Sequence, residues 1–305
     1  MIYTLTLNTA VDMNIQCREL APQVVNRTQG VNYFPNGKGV NVSIVLRHYN
    51  VPSRIIGFFG GFTGRYIMDE LNSQGYDVCP IWLDEPTRIN VFINDGRNEY
   101  KLVSPGARVN EQRQQQLLAQ LNYLSPGDYL VISGSLPPGI DSGYYHQLLT
   151  LCQSRDIGVI LDISAPVLAK LLVFRPLLIK PNDEEMREIF GFTVSTAAQA
   201  RVAIARLHQL GARNVLLTMG AQGLYFSNGR SLFFCDAINV RVLSSACAGD
   251  AALAAFLSEW LYNGPVDQAL KKAAATGANV AESEGLGTLS KVHNYIPQVN
   301  VKIIQ

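Results

Sequence analysis

The sequence predicts an α/β protein, a mostly parallel sheet flanked by helices with a small β-sheet added to it. Three observations predict this. From residue 129 onward, short apolar strands alternate with helical segments, the rhythm of a parallel sheet covered on both faces. Around residues 16–34 and 85–105 that rhythm gives way to two-residue alternation and turn signals, as in a sheet with one open face. Finally, 305 residues that are 48% hydrophobic and 16% charged can bury a large core, and no internal repeat or linker divides them.

Charge and cysteine usage narrow the partners. Lysine plus arginine (25) nearly balance aspartate plus glutamate (24), which argues against a polyanion-binding surface and for a small-molecule partner rather than nucleic acid. Cys17, Cys79, Cys152, Cys235 and Cys247 lie far apart without a Cys-x-x-Cys, so neither a zinc site nor a disulfide framework is expected. A reducing, cytoplasmic setting fits. The N-terminus runs straight into a strand, and no apolar stretch approaches the roughly 20 residues that span a bilayer, so no membrane role is expected.

Taken in order, residues 2–7 form a strand that delivers Asp12 to its carboxyl end, where ligands of open α/β sheets gather; closing a turn is the plainer role for Asp12. Val24, Val25, Val31, Tyr33 and Phe34 interleave with polar residues as in a covering flap. Next, Gly37 and Gly39 flank Lys38 at a helix entrance, so amides and an ammonium can reach one anion, and Asn41 can bond hydroxyls. The P-loop spacing is absent. A strand at 55–59 leads through Gly60-Gly61-Phe62-Thr63-Gly64 into a helix at 66–72. Strands at 87–93 and 99–103 flank the turn Asn94-Asp95-Gly96, and Arg88 and Lys101 either face one ligand from adjacent strands or are simply solvated. Leucines at 117, 118, 121 and 124 mark an amphipathic helix over 111–124.

The regular part follows. A strand at 129–132 precedes Ser133-Gly134-Ser135-Leu136-Pro137, with a helix at 143–155 and a strand at 159–162 beyond it. The strand at 177–180 ends in Pro181-Asn182-Asp183-Glu184-Glu185, where Asn182 and Glu185, one turn apart, hold water or Mg²⁺ or only complement a helix dipole. A strand at 215–219 leads into Gly220-Ala221-Gln222-Gly223, and a hairpin through Asn228-Gly229 reaches a strand at 240–243. Small residues then precede Leu253, Phe256, Leu257, Trp260 and Leu261 at helical spacing, so helices are expected over 249–262 and 266–281. A helix start attracts anions, and a carboxylate there repels them. Asp250 therefore either caps this helix or takes the proton of a hydroxyl that attacks a phosphate.

Thr6-Leu7-Asn8 with Asp12, Asn36-Gly37-Lys38-Gly39-Val40-Asn41-Val42, Thr87-Arg88-Ile89-Asn90, Ser133 to Pro137, Lys180-Pro181-Asn182 with Glu185, and Cys247-Ala248-Gly249-Asp250 occur in that order. Together they resemble the ribokinase-like (PfkB-type) carbohydrate kinase family, in its branch phosphorylating sugar phosphates. Asn41-Val42-Ser43, the glycines from 57 to 64 and Leu161-Asp162-Ile163-Ser164 are most similar to 1-phosphofructokinases, with tagatose-6-phosphate kinases close behind.

The resemblance implies one ribokinase-like kinase domain over 1–305, a Rossmann-type core with a β lid from about 13–34 and 87–104, and a homodimer formed through the lid. Asp12, Gly39 and Asn41 would bind sugar hydroxyls, Lys38, Arg88 and Lys101 the phosphate already present, and Gly37, Asn90 and Ser135 complete the substrate set. ATP would lie across Lys180, Asn182, Thr218, Gly220 and Gly223, with Mg²⁺ held partly through water by Asn182 and Glu185. Asp250 would be the general base, and the amides of Ala248, Gly249 and Asp250, after Cys247, the anion hole. The expected reaction is phosphorylation of fructose 1-phosphate to fructose 1,6-bisphosphate. The alternatives are a tagatose-6-phosphate kinase and a weakly active protein that binds a sugar phosphate or nucleotide.

Three residues depart from the family's pattern: Thr9 stands for a proline, and Asn36 and Cys247 each stand for a glycine. Ala251 also occupies a position where serine is common. Cysteine keeps its amide but resists positive φ, so a left-handed requirement at 247 would misshape the anion hole; this is the main support for the binding-protein alternative. A nicotinamide dehydrogenase is excluded, because no strand ends in Gly-x-Gly-x-x-Gly followed by a ribose-binding acid.

Overall fold

The computed structural model describes residues 1–304. In chain order these form β1 (Ile2–Thr6), β2 (Ala10–Cys17), β3 (Thr28–Asn36), α1 (Lys38–His48), β4 (Ser53–Gly60), α2 (Gly61–Ser73), β5 (Asp77–Leu83), β6 (Arg88–Asn94) and β7 (Glu99–Leu102). Then come α3 (Glu111–Leu121), β8 (Tyr129–Ser133), α4 (Gly143–Ser154), β9 (Gly158–Asp162), α5 (Val167–Leu171), β10 (Leu178–Ile179), α6 (Asp183–Phe190) and α7 (Ala197–Leu210). The last elements are β11 (Val215–Thr218), β12 (Leu224–Ser227), β13 (Leu232–Cys235), α8 (Ala248–Trp260), α9 (Val266–Ala281), α10 (Val292–Tyr295) and β14 (Val301–Ile303).

Ten strands make one sheet in the order β14-β13-β12-β11-β10-β9-β8-β1-β4-β5, parallel from β11 to β5 and antiparallel from β11 to β14. Successive side chains of a strand point to opposite faces, and the packing follows that rule residue by residue. Ile132, Leu161, Ile179 and Leu217 join one apolar cluster, with Leu117, Leu148 and Leu207 from α3, α4 and α7. Their neighbours Val131, Ile160, Leu178 and Leu216 join the other, with Val45, Phe256 and Leu270 from α1, α8 and α9. Both faces are thus covered, which is why the central strands read as unbroken apolar runs.

The second sheet has four strands in the order β3-β2-β6-β7, with β2 and β6 parallel and the outer pairs antiparallel. It overlaps the two segments expected to form a lid but begins at Ala10, so Asp12 belongs to this small sheet and not to the end of a core strand. The expected strand at 240–243 is absent. The Asn228-Gly229 turn is tight, with Asn228 Oδ1 accepting the amides of Arg230 and Ser231, so the return strand is β13 and Ser227 pairs with Leu232. Residues 236–247 run without helix or strand, and Val242 and Leu243 are exposed.

Candidate active site

The floor of the site is the carboxyl edge of the large sheet, where apolar strands end in polar residues: Thr6 on β1, Ser133 on β8, Asp162 on β9 and Lys180 just after β10. Asp162, fully buried, is the hub, and its role was not foreseen. Its Oδ1 accepts from Lys180 Nζ at 3.0 Å and Lys38 Nζ at 3.3 Å, while Oδ2 has no partner among the described residues. Burial pushes its pKa up, but the two ammonium groups outweigh burial and hold it below the usual value, so it is charged. For Lys38, burial opposes the charge and Asp162, Asp250 and Glu185 restore it, keeping its pKa above normal. Glycines at 37 and 39 make this possible. A Cβ on either would collide with the Thr6 side chain, so α1 approaches β1 only without one, and Gly37 also has a φ of 147°.

Helix α8 supplies the second part. Cys247, its N-cap, adopts the left-handed conformation with φ 63° and ψ −10°. For a residue with a Cβ this costs about 1–2 kcal/mol. The helix start is nevertheless well formed, since Ala251 N–H donates to Cys247 O at 2.9 Å. Ala248 N–H turns back to Ser245 O at 3.4 Å, whereas those of Gly249 and Asp250 meet no acceptor among the described residues. Of the three amides expected to form the anion hole, two are therefore free, and that of Ala248 is already engaged. A Cβ on Gly249 would lie 3.5 Å from Lys180 Nζ, so the glycine opens a space shared by two amides and one ammonium, suited to an anion.

Asp250 lies beside this space, buried, its Oδ2 accepting from Asn41 Nδ2 at 2.9 Å. Burial pushes its pKa up to about 6; the charge of Asp162 adds to the rise, and Lys38, Asn41 and Lys180 pull it back. It is a carboxylate that is free to accept a proton at neutrality and becomes protonated only as pH falls through about 6, as a general base requires.

The small sheet supplies the third part. Asp12 is buried between two carboxamides: Asn90 Nδ2 donates to Oδ1 at 2.9 Å and Asn36 Nδ2 donates to Oδ2. Burial raises its pKa more than these bonds and Arg88 lower it. The guanidinium of Arg88 is braced by Ser104 O at 2.9 Å and Asn8 O at 3.0 Å, with its Nε unpartnered, and Asn8 Nδ2 reaches Ser135 Oγ at 3.3 Å. Between the sheets lies a cavity of about 620 Å³ lined by Asn36, Lys38, Arg88, Asn90, Ser135 and Tyr145 among others. Lys101 does not join them. It sits on the edge strand β7 opposite Phe92, half exposed, and pairs with Glu99 at 3.0 Å, because an outermost strand offers solvent at lower cost than a shared cage. Lys38, too, serves Asp162 and Ser164 more directly than the Arg88 end of the cavity.

On the remaining side, Asn182 and Glu185 form a capping box: Glu185 N–H donates to Asn182 Oδ1 at 2.7 Å and Asn182 N–H to Glu185 Oε2 at 2.9 Å. The cap consumes two of the oxygens expected to face a cation, leaving Glu185 Oε1. Among the described residues no group of three or more His, Cys, Asp or Glu is gathered as a metal site. Thr218 bridges to Asn182, and Gly220 and Gly223 follow with φ of 53° and 98°. A Cβ on Gly223 would strike Cys235 O, so this glycine is required by the β12–β13 packing, while Gly220 faces open space.

A buried carboxylate next to free helix amides, facing a cation-lined cavity at the edge of a parallel sheet, fits a phosphotransferase with an alcohol group as acceptor. The chain belongs to the pfkB family of carbohydrate kinases, whose pattern matches residues 6–292. It is 57% identical to a D-tagatose-1-phosphate kinase of Klebsiella oxytoca over 301 residues, 99% of each chain. It is 31% identical to a 1-phosphofructokinase of Bacillus subtilis over 301 residues, again 99% of each. The crystal structure of phosphofructokinase-2 from Escherichia coli in complex with fructose-6-phosphate superposes with a TM-score of 0.88 at 26% identity, covering 97% of this chain and 99% of that one.

Proposed function

We propose that this kinase phosphorylates the 6-hydroxyl of a ketohexose 1-phosphate, with D-tagatose 1-phosphate as the preferred acceptor and ATP as the donor. The observation that carries the reading is Asp250, a buried carboxylate with a pKa near neutrality beside two free amides and Lys180, at one end of a site whose other end holds Arg88. In this reading Arg88 and Ser135 bind the phosphate already on the sugar, each charge-assisted contact contributing about 1.5–3 kcal/mol. Asp12, Asn90 and Asn41 orient the hydroxyls, and Asp250 takes the proton of the attacking one. The amides of Gly249 and Asp250, with Lys180 and Lys38, face the negative charge that builds up as the phosphoryl group moves.

The donor set suits a nucleotide phosphate chain, since the space at Gly249 would be filled by any Cβ and is flanked by an ammonium. Mg²⁺, when bound, neutralises phosphate charge; the residues fit only an indirect, water-mediated hold through Glu185 Oε1, the Asn182 oxygen being used by the cap. The small sheet acts as the lid. Its far face carries Met13, Tyr33, Val91 and Leu102 as cross-strand neighbours, two of them exposed, which supports a homodimer through that face.

Preference for the tagatose epimer is supported by the 57% identity to the Klebsiella enzyme, and position 1 for the existing phosphate by the names of both relatives. D-fructose 1-phosphate is the second reading, because the two sugars differ at one hydroxyl and the same cage accepts either. Coupled ADP release decides between them, measured on both 1-phosphates, on tagatose 6-phosphate, on fructose 6-phosphate and on the free sugars. The highest kcat/KM is expected for D-tagatose 1-phosphate; a higher value for a 6-phosphate overturns the reading, and tight binding without turnover on any of them favours the weakly active binding protein.

A further inference from the structure

Asn36 and Cys247, 211 residues apart in the chain, touch the same amide nitrogen. Asn41 Nδ2 lies 3.0 Å from Asn36 Oδ1, 3.3 Å from Cys247 Sγ and 2.9 Å from Asp250 Oδ2. A carboxamide has two N–H bonds for these three acceptors. The carboxylate takes one, as the stronger charge-assisted bond, and the carboxamide oxygen and the sulfur compete for the other. Asn36 cannot be turned round, because its Nδ2 must donate to Asp12 while its Oδ1 accepts from the Gly37 amide as well as Asn41. The result is a continuous path from Asp12 on the small sheet, through Asn36 and Asn41, to Asp250 on α8.

We propose that Asn36 is a positioning residue that holds the Asn41 amide on Asp250 against the competing pull of the Cys247 sulfur, so that Asn36 and Cys247 act as a compensating pair. Sequence position supports this. Asn36 is the last residue of β3 and is separated from α1 only by its N-cap, Gly37, so a bond from it to Asn41 ties the small sheet to the helix that carries Lys38. Without the Asn36 side chain, the second N–H of Asn41 has only the sulfur to turn to, and because both N–H bonds belong to one rigid planar amide, following the sulfur tilts the first N–H off the carboxylate. Without both side chains, only the carboxylate remains and the amide returns to it.

The inference deepens the kinase reading and rests on it for its kinetic arm. The groups facing Asp250 are Lys38 on α1, Asp162 on β9, Lys180 after β10, and Asn41 on α1; none of them is altered in the test. A double-mutant cycle uses Asn36→Gly, Cys247→Gly and the pair, with kcat/KM for D-tagatose 1-phosphate followed from pH 5 to 8. Asn36→Gly is expected to lower kcat/KM about tenfold and to move its acid limb to higher pH, as loss of one hydrogen bond to a charged group implies. Cys247→Gly alone is expected to change little, and added to Asn36→Gly to restore at least about threefold of the loss, a departure from additivity that contacting residues show.

A second measurement does not depend on turnover. In the ¹⁵N-labelled full chain, the side-chain amide resonances of Asn41 are expected to shift in Asn36→Gly and to move back in the pair. Additive kinetics with unmoved Asn41 resonances overturn the proposal. A chain that turns over no ketose phosphate counts against the kinase reading, and the resonances alone then decide this one.

Discussion

Replacing Asp250 by asparagine should make the protein more stable and almost inactive, and the size of both effects follows from its surroundings. The fold raises the Asp250 pKa from 3.8 to about 6. That rise corresponds to about 3 kcal/mol by which the native state disfavours the charged form. The native carboxyl binds its proton more tightly than the unfolded one, so stability falls as pH rises between about 4 and 6, and the deficit is complete above that window. Asparagine keeps an oxygen for the Asn41 amide and carries no charge. Asp250→Asn is therefore expected to raise Tm by about 5 °C at pH 7.5 for a chain of this size, with the gain vanishing below pH 4. Loss of a general base lowers kcat by about 10²–10⁴. The unsubstituted enzyme, conversely, should lose activity as pH falls through about 6, retaining about a tenth at pH 5. Calorimetry and coupled ADP release across pH 4–8 measure both. A Tm gain that does not depend on pH, or a rate without an acid limb near 6, refutes the reasoning.

Other expected outcomes test the rest of the site. Arg88→Ala should raise KM for the ketose 1-phosphate about 10- to 100-fold, as loss of a charge-assisted contact implies, whereas Lys101→Ala should change it by less than about threefold because that lysine belongs to an exposed pair; equal effects in steady-state kinetics would restore Lys101 to the phosphate cage. Asp162→Asn leaves Lys38 and Lys180 without their shared buried partner and should cost about 3–5 kcal/mol in denaturant unfolding. It should also move the acid limb to lower pH, since Asp162 raises the Asp250 pKa; a limb that moves upward contradicts the charge assignment. Cys247→Gly should alter kcat by less than about threefold, because the left-handed φ and the free amides are already in place. A tenfold rise in kcat would mean that the cysteine distorts the anion site after all.

Much of this could be read from the chain because the features are local. Strand and helix periodicity placed β8, β9, α8 and α9 within a few residues, and small residues before an apolar helix located Asp250. The strand at 240–243 was misplaced because Val240 and Val242 look β-like while the Asn228-Gly229 turn sets the register to Leu232–Cys235. Asp77–Leu83 and Ala197–Leu210 are ordinary core elements that carry no chemical signature in the sequence. Asp162 stood at a predicted strand end, which was the available signal, but nothing near it in sequence announces the two lysines that meet it.

The sequence by itself determined which segments form strands and helices, where the glycines let backbone pass closely, and that a carboxylate stands at a helix start. Only the tertiary structure decided which charges share one space. Lys38, Asp162 and Lys180 come from three separate segments and meet only because parallel strands bring their carboxyl ends to one edge. Lys101, equally plausible on paper, ends up on an edge strand beside Glu99. The physical reason is range: backbone propensity and periodicity act over a turn or a pair of strands, whereas a buried ion cluster depends on distances of about 3 Å between residues far apart in the chain.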